Sequence, residues 1–118
     1  MRVLILEDEM LLQMQMEMLI EDLGFTVVGP HAAVAPAMAD VMADKVDCAL
    51  LDVNLRGETS WAVADALAAK GVPFALSSGN NAADLEPRFA GRPVFIKPVD
   101  ENRVKKFLSE AAAARGKP

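Results

Sequence analysis

Four charged side chains stand directly after apolar runs of strand character. They are Glu7, Asp8, Asp52 and Lys97. Adjacent carboxylates at the end of a buried strand repel one another and lose hydration, so a cation or hydrogen-bond donors must offset them. If the three strands are parallel neighbours, the three acids and the ammonium group converge on one small volume. That chemistry suits a divalent cation and a phosphoryl group.

Short β-like runs alternate with longer helical patterns along the chain, which indicates βαβ units and a parallel sheet with helices on both faces. The pattern predicts five strands, at 2–6, 25–29, 47–51, 73–77 and 93–96. It predicts five helices, near 10–23, 34–44, 60–70, 82–90 and 100–114. In open α/β sheets the ligand site lies at the carboxyl ends of the strands, and all four charged residues fall there.

The composition limits the classes of function. With 118 residues, 53% of them hydrophobic, the chain suits one domain with a substantial core, and we expect a single domain over 1–118 with no output domain. The net charge of −5 argues against a nucleic-acid face, which needs clustered Lys and Arg. No signal-peptide pattern and no apolar run near the ~20 residues of a membrane span is present, so we expect a cytoplasmic protein without membrane contact.

Three residues of reactive or binding type are expected to have structural roles only. Cys48, the only cysteine, lies in an apolar run and is expected in the core, where an intramolecular disulfide is impossible. Trp61 is expected to pack partly against the core. His31, the only histidine, lies in a Gly-Pro-His segment without a ligand partner in the sequence, and we expect it to be exposed and idle.

Four short motifs occur in the order typical of one family. They are Glu7-Asp8, Leu51-Asp52-Val53-Asn54-Leu55-Arg56-Gly57, Ser78-Gly79 and Lys97-Pro98. Over essentially its whole length the chain resembles the receiver domain of two-component response regulators. The resemblance implies a flavodoxin-like, doubly wound α/β fold with five parallel strands in the order 2-1-3-4-5, which is the known order of that fold. It also implies a cis peptide bond between Lys97 and Pro98.

The same resemblance implies a Mg²⁺ site. Asp8 corresponds to a direct ligand, Glu7 to its more distant acidic companion, and Asn54 to the residue that contributes a backbone carbonyl. Asp52 corresponds to the phosphoacceptor, which also contacts the ion. Mg²⁺ prefers oxygen ligands and retains several waters, so carboxylates, a carbonyl and solvent suit it better than His or Cys.

Two further residues match positions that contact the phosphoryl group in the family. Lys97 corresponds to the lysine that pairs with the phosphate, and Ser78 to the switch hydroxyl. A carboxylate that attacks a phosphoryl group is an anion meeting an anion, so Mg²⁺ and Lys97 are needed to neutralise the approach. Movement of Ser78 toward the phosphoryl group would shift its loop and act as the switch.

The sequence departs from the family pattern at several positions. Glu7 stands where aspartate is more common, and its extra methylene should place the carboxylate farther into the site. Val94 stands where many receivers carry a Tyr or Phe whose rotamer reports activation. The segment after Ser78 is short and contains Asn80, Asn81, Pro87 and Gly91, which predicts a short or irregular fourth helix.

The first predicted helix has a second apolar stripe opposite its core stripe. Leu12, Met16, Leu19, Ile20 and Leu23 form the core stripe. Leu11, Met14 and Met18 lie on nearly the opposite side, where they are either ordinary surface residues or a docking surface. The resemblance implies a histidine kinase or histidine phosphotransfer protein as the partner, and a homodimer is the other option.

The function predicted from these observations is a phosphoacceptor signalling protein that takes a phosphoryl group from a phosphohistidine donor onto Asp52 and has no enzymatic activity on other substrates. One alternative is a receiver-like binding module that does not need phosphorylation, which Val94 and the short fourth helix leave open. Another is a Mg²⁺-dependent aspartyl-phosphate phosphatase of the haloacid dehalogenase type. That class uses a second aspartate two residues on as general acid, and Asn54 occupies the position here.

Overall fold

The structure is a computed structural model and describes residues 1–79 and 85–115. The strands are β1 (Arg2–Leu6), β2 (Thr26–His31), β3 (Cys48–Asp52), β4 (Asn54–Leu55), β5 (Glu58–Thr59), β6 (Phe74–Ser78) and β7 (Val94–Ile96). The α-helices are α1 (Met10–Asp22), α2 (Val34–Met42), α3 (Trp61–Ala69) and α4 (Glu101–Arg115), and a 3-10 helix spans Pro87–Phe89. None of the described helices has the length and apolar character needed to cross a membrane.

Five of the strands form one parallel sheet in the order β2-β1-β3-β6-β7. Each neighbouring pair is parallel, with Leu4 opposite Ala49 and Asp52 opposite Ser77. Counted along the chain, these five strands stand in the order 2-1-3-4-5, so the predicted doubly wound, flavodoxin-like sheet is confirmed. Because β1 and β3 are neighbours, the acids that follow them lie at the same edge of the sheet.

Both faces of the sheet are covered by helices, as parallel sheets require. Successive strand residues alternate between the faces. Leu4 and Leu6 pack with α2 and α3 on one side, and Val3 and Ile5 pack with α1 and α4 on the other. The predicted core stripe of α1 is confirmed, because its members are buried or packed against the second of these cores. Cys48 is buried in β3, as expected.

The predicted fourth helix is confirmed as irregular where the structure describes it. Residues 82–84 of the predicted span, together with Asn80 and Asn81, lie outside the described residues. The remainder contains only the 3-10 helix, whose Phe89 packs into the core. A two-stranded antiparallel hairpin of β4 and β5, which the sequence pattern did not indicate, begins two residues after Asp52.

The prediction that His31 is exposed and idle is wrong. A register irregularity between Leu4 and Leu6 lets β2 continue through Pro30, and His31 pairs with Leu6. The His31 ring is then held beside α2, with Nε2 2.6 Å from Asp40 Oδ2. Its side chain is about one-fifth exposed (22%). The histidine therefore links β2 to α2, and it reaches this position because the strand is longer than predicted.

Candidate functional site

The carboxyl ends of β1, β3 and β7 bring the predicted acids and the lysine together. Glu7, Asp8 and Asp52 each place a carboxylate oxygen so that the three atoms lie within 4.8 Å of one another. Lys97 Nζ lies 3.0 Å from Asp52 Oδ2 and 3.1 Å from Glu7 Oε1. Since β6 separates β3 from β7, the long lysine side chain crosses the end of that strand to reach the acids. The Lys97-Pro98 peptide is cis, as the sequence resemblance implies.

Glu7 is the most deeply placed of the three acids, with 3% of the residue exposed. Both of its carboxylate oxygens accept hydrogen bonds from Lys97, at 3.1 and 3.4 Å. Burial, followed by the hydrogen bond to Asp52 and the charge of Asp52, raises the pKa of Glu7 to about 7, although Lys97 opposes these effects. Glu7 therefore retains a proton up to near neutral pH, which reduces the negative charge of the site.

Lys97 remains charged although it is largely buried. Desolvation lowers its pKa, but the hydrogen bonds and charges of Asp52 and Glu7 outweigh that effect, so the pKa lies above its ordinary value. The carboxylate of Glu9 also lies 3.5 Å from Lys97 Nζ. Glu9 was not among the predicted site residues, although its position directly after Glu7 and Asp8 was a signal for it.

An open cavity lies over these groups. Asp8, Asp52, Asn54, Gly79 and Lys97 contribute to its lining. Two main-chain donors hold its acids in place: the Asn54 N–H donates to Asp52 Oδ1 at 3.2 Å, and the Arg56 N–H donates to Asp8 Oδ2 at 3.1 Å. Arg56 was not among the predicted site residues, because a backbone donor leaves no trace in the residue type.

The donor set of the cavity fits Mg²⁺. Asp8 and Asp52 offer carboxylate oxygens, Asn54 lines the same cavity and has a backbone carbonyl, and the opening leaves room for water. Hard oxygen donors with solvent are the surroundings that Mg²⁺ prefers. Glu7 does not line this cavity and lies beneath it against Lys97, which suits an indirect role.

Ser78 lies at the end of β6 and is buried, with 1% exposure. Its carbonyl accepts a hydrogen bond from the Lys97 N–H at 2.9 Å, and Gly79, the next residue, lines the cavity. The backbone of Ser78 is therefore hydrogen-bonded directly to the backbone of Lys97, the residue that supplies the ammonium group.

Two other expectations from the sequence are confirmed. Trp61 is half-buried and stacks on Phe89, with ring centroids 5.6 Å apart. On α1, Leu11, Met14 and Met18 are 82%, 53% and 64% exposed. We refer to these three side chains as the α1 apolar face.

Solved structures with this architecture include close matches. SdrG from Sphingomonas melonis Fr1 is 43% identical over 94% of this chain and 95% of that chain, with a TM-score of 0.82. The BeF3-activated conformation of SdrG from Pseudomonas melonis Fr1 is also 43% identical, over 94% of each chain, with a TM-score of 0.77. The REC domain of the response regulator PhyR from Erythrobacter litoralis is 30% identical over 99% of this chain and 93% of that one, with a TM-score of 0.78. No family model and no curated protein matches the chain.

Proposed function

Because the chain belongs to the receiver domains of two-component response regulators, we propose that it accepts a phosphoryl group from a phosphohistidine donor onto Asp52, with Mg²⁺ as the cofactor. A receiver domain transmits a signal and is not an enzyme in the usual sense. One observation carries the proposal: the Asp52 carboxylate ends a central strand, lines the open cavity, and lies 3.0 Å from the Lys97 ammonium.

In the transfer step, an Asp52 oxygen attacks the phosphorus atom. The phosphorus–nitrogen bond of the donor breaks, and the donor imidazole keeps the electron pair. Lys97 offsets the negative charge that gathers between the carboxylate and the phosphoryl oxygens. Asp8, Asp52 and the Asn54 carbonyl would hold Mg²⁺, which would supply further charge neutralisation at the phosphoryl group.

Glu7 and Lys97 prepare the site before transfer. Lys97 is shared between Glu7 and Asp52, so it can exchange its Asp52 contact for a phosphoryl oxygen while it keeps its contact to Glu7. After transfer, the Ser78 hydroxyl is the group proposed to donate to the phosphoryl group. Such a movement would change the surface around Gly79 and serve as the signal.

The α1 apolar face is the proposed docking surface for the donor. Exposed large apolar side chains favour contact with another apolar surface, and flexible thioethers adapt to different partners. A histidine kinase or a histidine phosphotransfer protein would place its phosphohistidine over the cavity, which is adjacent to the start of α1. A second copy of this chain is the other candidate occupant of the face.

The proposed function is tested by intact mass after incubation with Mg²⁺ and acetyl phosphate. We expect a gain of about 80 Da, the mass of one added phosphoryl group. The gain should be absent without Mg²⁺ and absent from the Asp52→Asn variant. An equal gain in that variant would refute Asp52 as the acceptor. A wild-type protein that gains no mass from acetyl phosphate or from a phosphohistidine donor would favour the binding module that works without phosphorylation.

A further inference from the structure

The β4–β5 hairpin contacts the acidic site through one of its backbone groups. It starts two residues after Asp52, and Arg56 and Gly57 form its turn. The main-chain N–H of Arg56 donates to Asp8 Oδ2 at 3.1 Å. The Arg56 side chain contributes less, because its Nε lies 3.8 Å from that oxygen and the side chain is 91% exposed. The hairpin backbone therefore fixes one oxygen of Asp8, and within residues 1–79 and 85–115 no hydrogen bond occupies the other.

The next residue after the turn contacts a different element. Glu58 Oε1 accepts a hydrogen bond from the N–H of Val34, the first residue of α2, at 2.8 Å. Ala33 at the N-cap position offers no side-chain acceptor, and the first turn of α2 contains no acidic residue. Glu58 thus supplies from a distant part of the sequence both the acceptor and the negative charge that a helix N-terminus favours.

We propose that the β4–β5 hairpin is a clamp that positions Asp8 for metal binding and couples the acidic site to the N-terminus of α2. Arg56, through its N–H, and Glu58, through its carboxylate, are positioning residues. Leu55, which pairs with Glu58 across the hairpin, is buried in the core and anchors the hairpin there. The inference rests on the proposed Mg²⁺ site. Since coupling between two sites is reciprocal, metal bound at Asp8 should also tighten the first turn of α2.

The turn geometry allows a sharp test of the Arg56 contact. Gly57 has φ +77° and Arg56 has a negative φ, the signs of a type II turn, in which proline is favoured at the first central position. Arg56→Pro should therefore keep the turn and remove the N–H donor. Arg56→Ala removes the same guanidinium and keeps the N–H, so it is the matched reference.

Mg²⁺ affinity, measured by isothermal titration calorimetry, reports on the positioning of Asp8. We expect Arg56→Pro to bind Mg²⁺ about 10-fold more weakly than Arg56→Ala, as is usual when a hydrogen bond to a metal ligand is lost. Glu58→Ala should weaken binding about threefold, and Glu58→Gln should restore it, because the amide oxygen can still accept from Val34. Equal affinities in the two Arg56 variants would overturn the clamp, and so would a Glu58→Gln variant as weak as Glu58→Ala.

Amide hydrogen exchange at Val34, followed by NMR, tests the coupling without relying on metal affinity. In metal-free protein, exchange should be about fivefold faster in Glu58→Ala than in the wild type, because one cap is lost. It should also be faster in Arg56→Pro than in Arg56→Ala, and Mg²⁺ should slow it in the wild type. Unchanged Val34 exchange in all variants would overturn the coupling. A wild type that binds no Mg²⁺ would refute the proposed metal site, and the clamp would then be judged from the metal-free rates alone.

Discussion

The acidic site and the α1 apolar face both depart from the usual rule that charged side chains are exposed and large apolar side chains are buried. At the strand ends the protein buries carboxylates, with Glu7 and Asp52 only 3% and 4% exposed. On α1 it exposes large apolar side chains, with Leu11 82% exposed. Burying a carboxylate is costly, and burying a side chain such as Leu would contribute about 1.5–3 kcal/mol. Both regions therefore give up stability that a purely structural domain would retain.

The two regions differ in whether the chain itself supplies the compensating partner. Lys97 contacts Glu7 and Asp52, and the hairpin N–H contacts Asp8, so each acid has a partner inside the fold. The α1 apolar face has no such cover in the described part of the chain. The acidic site is therefore organised within the fold, whereas the docking proposed for the α1 apolar face depends on a second molecule. Three predictions test the contrast, from the largest expected effect to the smallest.

The largest effect concerns the pH dependence of stability in metal-free protein. The unfolded chain releases the Glu7 proton near pH 4.5, whereas the folded protein retains it up to about pH 7. Between these values the unfolded state binds fewer protons, so a rise in pH favours unfolding. Each unit of pKa corresponds to about 1.4 kcal/mol, so this group should lower the free energy of unfolding by about 3 kcal/mol across the interval.

Urea unfolding at several pH values from 4.5 to 8 measures this change. Glu7→Gln keeps the shape of the side chain and removes the titration, so it serves as the control. The difference in the free energy of unfolding between the wild type and Glu7→Gln should grow from pH 4.5 to pH 7 and then level off. Parallel stability curves for the wild type and Glu7→Gln would contradict this prediction, because they would mean that burial does not raise the pKa of Glu7.

The second prediction separates the two neighbouring acids. Asp8→Ala should weaken Mg²⁺ binding about 100-fold, since it removes a ligand, and Glu7→Ala about 10-fold, since Glu7 lies beneath the cavity and acts indirectly. Titration calorimetry measures the Mg²⁺ affinities of the two variants and so ranks them, and Trp61 fluorescence can be used as well if that side chain responds to the ion. The reverse ranking would mean that the roles assigned to the acid pair must be exchanged.

Much of this arrangement could be predicted from the sequence because it depends on local patterns. Apolar runs of strand length, each followed by a charged residue, were enough to place Asp52 and Lys97 at one edge of a parallel sheet. The contacts that were missed join residues with no periodic relation. Arg56 reaches Asp8 through its backbone, and the ring of His31 meets Asp40 only after β2 extends past a proline. The hairpin strands have two residues each, too few to show alternation.

The smallest effect is expected from the α1 apolar face, where Met14→Glu together with Met18→Glu should reduce transfer from a cognate phosphohistidine donor about 10-fold, as expected when central interface contacts are lost. Folding and labelling by acetyl phosphate should stay unchanged, because both side chains lie away from the core and the cavity. Met42→Glu is the matched control, since Met42 is 61% exposed on α2 and should not affect transfer. Loss of folding in the double variant would show that these methionines belong to the core. Normal folding with normal transfer and self-association would show that they are ordinary surface residues.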